Sequence, residues 1–445
     1  MAQALAADPR PPAAAPGGLL RILGVAFGLA VIVGSTLGIG ILRTPGLVAG
    51  QLTSPTSIVL VWLAGGLYTL LGAVCLTELG TMLPQAGGYY VYARRAFGDT
   101  VGFAVGWSDW ITYCAILGYV TIAMGEFTAV LVPSLTPAIK LVAVAVLASF
   151  AALQWAGLRL SSRFQEWTTA IKFLAFLALV AACFAHSASS PVPVAAPAGE
   201  LPKAGLVGLV IALQSVAITF GGWQSALYFT EEDSDPRRNL PRSMIGGVLS
   251  VLVIYLLVNV ALLAVLPVPE LARSTLPAAD AARVIFGGRG GQVITVLSLV
   301  SLPPLVNAIM MIGTRILFAM GRDGLLWRRA GDVSERGTPF IATAITAAVA
   351  VVLIASGTFQ KLVAVVSFFL AANYVVSCLA LIALRRREPG MERPFRAGGY
   401  PWIVGIVLAG AVAFLAGTFV GDTRTALYAI GLLAVGLAWR KWASR

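Results

Sequence analysis

Twelve apolar runs, each near or above the length of a membrane-crossing helix, follow one another along this 445-residue chain. They fall at about 20–49, 56–83, 99–132, 137–157, 164–186, 205–229, 243–267, 291–319, 339–356, 361–384, 401–420 and 424–440. A helix needs about 20 predominantly apolar residues to cross a bilayer core. Inside lipid each backbone polar group must be satisfied within the segment, so runs of this kind become helices. Apolar residues make up 58% of the chain and charged ones 11%, against about 25% charged in a soluble domain. A soluble globule is excluded, as is a disordered chain. The predicted fold is an all-α membrane protein with twelve transmembrane helices. Residues 1–17, rich in Ala and Pro, are expected to be a flexible cytoplasmic tail, and 18–445 a single transmembrane domain. The longest connections, about 187–204 and 268–290, are too short for a second folded domain.

The net charge of +12 needs no nucleic-acid partner. One set of alternate loops holds only Arg43, Lys140, Lys203, Arg273, Arg283, Arg289, Lys361 and Arg424. Lys172 and Arg315 lie within runs, and all other Lys and Arg fall on the N-terminal side. The positive-inside rule then places both termini in the cytoplasm of a cell (inner) membrane and requires an even number of spans. The four cysteines (Cys75, Cys114, Cys183, Cys378) sit in apolar runs with no CxxC pair, and read as packing residues. No small-residue cleavage site follows the first run, so a removable signal peptide is not expected.

Two runs carry interruptions. The first reads AVIVGSTLGIGILRTPG, with Gly34, Gly38 and Gly40 close together; the sixth reads AITFGGWQSALYF, with Gly221–Gly222 in its middle. Glycine inside a helix costs about 1 kcal/mol relative to Ala. Helical backbone comes undone at membrane depth only where protein or a water-filled cavity satisfies it. A break exposes N–H groups at one half-helix and carbonyls at the other, which suit a carboxylate and an ammonium group. The alternative is close helix packing, which small residues also serve. Runs 1 and 6 begin the two halves of a ten-helix unit. Five spans per half is an odd number, so the second half is inverted, and paired interruptions then point to a transport site at the midplane.

Lys172, in EWTTAIKFLAFLALV, either snorkels to the interface or faces the bundle interior as a fixed cation. Asp109 is expected to hydrogen-bond a neighbouring helix, and Glu126 to be solvated. Glu78 and Arg315 are expected to fix contacts on the N-terminal side, and His186 has no metal partner. There is no P-loop, HExxH or GxSxG motif, so the chain is not expected to be an enzyme or to need a cofactor. Transport is then driven by gradients or exchange.

The block VGSTLGIGILRTP resembles the first-helix signature of amino acid–polyamine–organocation transporters. ELGTMLPQAGGYYVYARRAFG and GFAVGWSDW are similar to that superfamily's second and third helices. FGGWQSALYFTEEDSDPRRNLPRSM and RILFAMGRDGLLW are similar to its sixth and eighth. The nearest branch is that of the L-type amino-acid transporters and their bacterial relatives. The resemblance implies a LeuT-like fold: a 5+5 inverted repeat (18–186 and 205–385) plus two C-terminal helices (400–440). It implies a sodium-independent permease, an antiporter or proton symporter, that moves amino acids by alternating access. The substrate-binding residues it implies are Ser35, Thr36, Gly38, Ile39 and Gly40 for the carboxylate, and Ile218, Thr219, Phe220 and Gly221 for the amino group. Lys172 matches a coupling lysine that stands in for a sodium ion. Two positions depart from the pattern. Ile39 replaces a common Ser, and Ile218 replaces a gating aromatic, leaving Phe220 to offer an aromatic face. No Cys occurs at 133–137, so no disulfide-linked accessory subunit is expected. The partners implied are an amino-acid substrate and the lipid bilayer. Other readings are a polyamine or organic-cation carrier using Asp109 or Glu126, and a non-transporting sensor.

Overall fold

The computed structural model describes residues 18–52, 54–189, 205–356 and 359–443. The expected tail at 1–17 and most of the 187–204 connection lie outside them. Among the described residues there are sixteen α-helices and no strand; one isolated bridge joins Leu23 to Asp233. The first seven helices are α1 (Val25–Thr36), α2 (Ile39–Ala49), α3 (Pro55–Met82), α4 (Tyr89–Phe97), α5 (Asp99–Leu131), α6 (Ile139–Ala156) and α7 (Leu158–Ser189). Next come α8 (Leu206–Thr219), α9 (Pro236–Leu263), α10 (Val268–Arg273), α11 (Pro277–Phe286) and α12 (Gly290–Arg322). The last are α13 (Phe340–Ser356), α14 (Phe359–Arg387), α15 (Trp402–Gly421) and α16 (Thr423–Ala443).

Local chemistry sets these boundaries. Ser54 caps α3, its hydroxyl accepting from the Ser57 N–H at 3.1 Å, with Pro55 at the first helical position. Gly157 turns the chain between α6 and α7 at φ +121°, where a β-carbon would also press on Arg336. Helix α9 starts at Pro236, before the apolar run, because its arginine-bearing first turns extend beyond the apolar phase. Helix α7 likewise starts at Leu158, before the apolar run.

Among the described residues, eight helical stretches are long and apolar enough to cross a membrane, and the bent pair α1/α2 makes a ninth. Helices α8 and α13 are shorter apolar helices. Large apolar side chains such as Leu141, Trp402 and Val420 lie exposed on the outer surface, as a lipid-facing protein requires. The chain is therefore a multi-pass helical membrane protein.

Helices α1, α3, α5, α9 and α12 form the interior. Helix α3 packs on α9, α5 on α12, and α1 on α7, α9 and α12. The stretch Pro277–Arg322, which holds α11 and α12, is the most enclosed of the spanning stretches, with 67% of its most apolar part buried; α15, at 17%, lies on the perimeter. Two short helices occupy corresponding places. Helix α4 packs on α5 and α14, and α11 packs on α12 and α7.

Candidate functional site: a cavity between two broken helices

Helix α1 stops at Thr36 and α2 restarts at Ile39, bent by 48°. Leu37 and Gly38 between them have extended backbone. Helix α8 stops at Thr219, and residues 220–224 form turns before a short 3-10 helix at Ser225–Phe229. The two breaks touch. Gly222 has φ +114°, and a β-carbon there would lie 2.8 Å from the Ser35 carbonyl and 3.0 Å from the Thr36 nitrogen. Both neighbours are backbone, so neither yields. Gly222→Ala is expected to cost about 1–3 kcal/mol, the scale of a strained functional backbone, and to separate the breaks. Its unfolding midpoint should fall; an unchanged midpoint would refute the close approach.

Side-chain donors meet several of the carbonyls freed at the breaks. The Tyr255 hydroxyl from α9 lies 2.7 Å from the Thr36 oxygen and 2.9 Å from the Thr219 oxygen, spanning both breaks. Ser35 Oγ lies 2.6 Å from the Val31 oxygen, 3.0 Å from the Gly222 oxygen and 2.8 Å from Ser225 Oγ. Ser225 in turn donates to the Gly222 oxygen at 2.6 Å. Thr44 Oγ1 and Thr219 Oγ1 are 2.8 Å apart.

Helix α7 supports α1 through one face. Gln165, Thr169 and Lys172 follow each other at helical spacing, so they form one stripe. Gln165 and Thr169 donate to the Ala30 oxygen at 3.2 and 3.0 Å, and Lys172 Nζ donates to the Gly34 oxygen at 2.8 Å. Lys172 is fully buried, so it does not snorkel. Gly34 lets the helices come this close: a β-carbon there would lie 2.3 Å from Gln165 Nε2.

A cavity of about 370 Å³ lies against the two breaks. Ser35, Thr36, Gly38, Ile39 and Gly40 border it from the first, and Ile218, Thr219, Gly221 and Gly222 from the second. Tyr113, Ile116, Val120, Ile309, Leu370 and Tyr374 complete much of the wall, from α5, α12 and α14. No charged side chain borders it among the described residues. The first N–H groups of α2 have no acceptor within their helix, and this is the end of α2 that meets the cavity.

Phe220 is not part of this wall. Its ring is buried between Trp62 and Tyr255, with centroids at 6.3 and 4.9 Å. The turn after Thr219 directs it into the apolar packing between α3 and α9, so it offers no face to the cavity. Lys172 also lies behind the wall rather than in it, reaching the site through the α1 backbone.

On the N-terminal side the cavity is sealed in layers. Tyr228 packs edge-on against Tyr113 and Tyr89, with centroids at 5.5 and 5.9 Å. The Tyr228 hydroxyl donates to Asp109 Oδ2 at 2.7 Å, so Asp109 ties α5 to the segment after the second break. Below them Arg315 pairs with Glu232 through two bonds of 2.8 and 3.0 Å, both side chains fully buried. Arg322 pairs with Glu231, and Arg94 with Asp323. Glu78 holds Arg385 and Arg393 at the end of α3, while Glu126 is exposed. In the other direction the cavity extends to Leu47 and Ile218, which are 62% and 53% exposed.

Sequence reasoning missed Tyr255, Gln224 and Ser225. Tyr255 had one signal, a lone hydroxyl within VLVIYLLVNV. Gln224 contacts the Tyr113 and Tyr374 hydroxyls at 3.4 and 3.3 Å, which only the packing of α5 and α14 against the turn after α8 brings about.

Residues 23–433 match the sequence model of a family described as amino acid permease. The chain is 26% identical to the serine/threonine exchanger SteT of Bacillus subtilis, over 94% of this chain and 96% of the relative. It is 26% identical to the mouse b(0,+)-type amino acid transporter 1, over 94% and 87% of the two chains. With the mouse Asc-type amino acid transporter 1 it shares 28% identity, over 85% and 73%.

Proposed function

The chain belongs to the amino acid permease family, whose members are transporters rather than enzymes, and we propose that it is a sodium-independent secondary transporter of neutral amino acids. The observation that carries the reading is the cavity held between two touching helix breaks, with Lys172 fastened to the first. In this reading the N–H groups that open α2 take the substrate carboxylate. Carbonyls around the second break, at Ile218–Gly221, take the amino group. Helix ends supply partial charges of the right sign for both, so the site binds a zwitterion without a charged side chain of its own. The uncharged wall, mostly Ile, Val, Leu and Tyr, suits a neutral substrate side chain.

The packing supports alternating access as the mechanism of this reading. The contacts of α3 with α9 and of α5 with α12, and the matched positions of α4 and α11, are what a 5+5 inverted repeat requires. Helix α8 with the 3-10 segment, α13 and α16 then bring the spans to twelve, with both termini in the cytoplasm of the cell membrane. The N-terminal side is closed by the tyrosine cluster and the Arg315–Glu232 pair, and the cavity faces the other side. Transport requires these layers to part while those around Leu47 and Ile218 close. The relative named as an exchanger favours exchange over net symport.

The polyamine reading loses support, because its acids do not reach the cavity. Asp109 is fully buried and held by Tyr228, and neither it nor Glu126 borders the wall.

The test is uptake of a labelled amino-acid panel into liposomes holding the purified protein and preloaded with unlabelled amino acids. Neutral amino acids should enter above the empty-liposome level, equally in sodium and choline buffers. Cationic and acidic ones should not. A sodium requirement would overturn the lysine reading, and no uptake by folded protein would overturn the substrate class.

A further inference from the structure

We infer that a second site, remote from the cavity, binds the phosphate headgroup of an anionic phospholipid in the leaflet on the N-terminal side. Where α14 ends and α15 begins, Arg385, Arg386, Arg393 and Arg396 line a cavity of about 340 Å³ together with Pro389 and Tyr400. The carboxylate in contact with these arginines is that of Glu78, and its capacity is already used. It accepts from Arg385 Nε and Nη2 at 2.8 and 2.5 Å and from the Ala397 N–H at 2.7 Å, and it pairs with Arg393 at 3.3 Å. Arg385 also lies 4.1 Å from the centre of the Tyr400 ring. Arg393 donates to the carbonyls of Leu384, Glu388, Pro389 and Met391. Two arginines are thus locked in the floor.

The other two are free. Arg386 and Arg396 are exposed and pair with no carboxylate among the described residues. Nearby acids are engaged elsewhere: Glu388 with Arg95 and Glu392 with Arg237. Four cations around one neutralised carboxylate form a site for a multiply accepting anion, and guanidinium groups match phosphate oxygens in geometry.

Position selects a lipid over a free anion. Trp402 opens α15 with 80% of its surface exposed, and Ile406 one turn on is 54% exposed. An exposed tryptophan at a helix end marks the headgroup level. The cavity therefore sits at phosphate depth, beside a perimeter helix whose apolar face receives acyl chains. Basic pockets between helices on this side hold anionic headgroups by the same physics.

The test uses the full-length protein in neutral detergent, titrated with phosphatidylglycerol, phosphatidylcholine or inorganic phosphate, and binding is read by native mass spectrometry and by the unfolding midpoint. Phosphatidylglycerol should bind and raise the midpoint; the other two should not at equal concentration. Each arginine near an anionic surface contributes about fivefold, so the Arg386→Gln/Arg396→Gln double variant should bind phosphatidylglycerol about 25-fold more weakly. Arg386→Lys/Arg396→Lys should bind more tightly than the glutamine variant but more weakly than wild type, because it keeps the charge and loses the guanidinium geometry. Arg159 and Arg163 are exposed arginines in the first turns of α7, outside this cavity, and Arg159→Gln/Arg163→Gln should bind as wild type. Equal binding by wild type and the Arg386/Arg396 glutamine variant would overturn the site. So would an equal loss in the Arg159/Arg163 variant, which would mean diffuse surface charge. Binding of inorganic phosphate as tight as that of the lipid would overturn the lipid assignment.

Discussion

Lys172→Met is expected to abolish exchange transport by at least tenfold while leaving a protein that unfolds at the same temperature or higher. The two effects go in different directions for one physical reason. Lys172 is a fully buried ammonium with no carboxylate partner among the described residues, and its bond is to a backbone carbonyl at Gly34. Taking an ammonium out of water is costly, and a single neutral acceptor offsets only part of the cost. Replacing it by an unbranched apolar side chain of similar length removes that cost. The fold therefore loses little. What is lost is a charge-assisted hydrogen bond, about 1.5–3 kcal/mol, at the last turn before the first break. That bond fixes where α1 stops, and so where the N–H groups of α2 point. A structural lysine predicts the opposite pair of results: a lower midpoint with transport in proportion to the folded fraction. Lys172→Ala should also lose transport but should unfold earlier than Lys172→Met, because it leaves a hole between α7 and α1. Exchange assays and thermal unfolding on the three proteins decide among these outcomes, and full exchange by Lys172→Met would sink the coupling role.

Arg315→Met should be the most destabilising of the substitutions considered, by about 3–5 kcal/mol, the cost of leaving one half of a buried ion pair without its partner. The Glu232 carboxylate would remain fully buried beside Phe229, its two guanidinium bonds gone. Glu232→Gln alone should also be costly, since it strands the cation. The double variant Arg315→Met/Glu232→Gln should recover most of the loss, because neutral groups of similar size tolerate that site far better than a lone charge. Unfolding titrations of the two singles and the double measure the coupling directly. Additive losses would show that each side chain is held by its surroundings and not by the other. The pair matters for transport because it joins the segment after the second break to α12 on the closed side. Opening that side must part or carry the pair as a unit.

Much of this was legible along the chain. The apolar runs located the long helices, although α7 and α9 begin about two turns before their runs and the short helices α4, α10 and α11 fall outside them; the glycines marked both breaks. The spacing of Gln165, Thr169 and Lys172 follows from helical periodicity, although only Lys172 stood out as an isolated charge in an apolar run. The contacts expected of Glu78, Asp109 and Arg315 were readable because a charged side chain within such a run needs a partner. Phe220 was misplaced for an equally physical reason. Next to a break the helical period no longer predicts direction, and one turn at Phe220–Gly221 sends the ring to the other side.

The sequence by itself determined the class: a multi-pass helical bundle, which way its charge is distributed, and which two helices cannot run straight. These properties depend on composition and period, and lipid enforces them one segment at a time. Only the tertiary structure decided the site. That Tyr255 spans both breaks, that Gly222 lies against Ser35, and that Lys172 faces α1 are contacts between segments 36 to 219 residues apart. No local propensity encodes such a distance; it is set by how helix faces pack once every buried polar group has to find a partner.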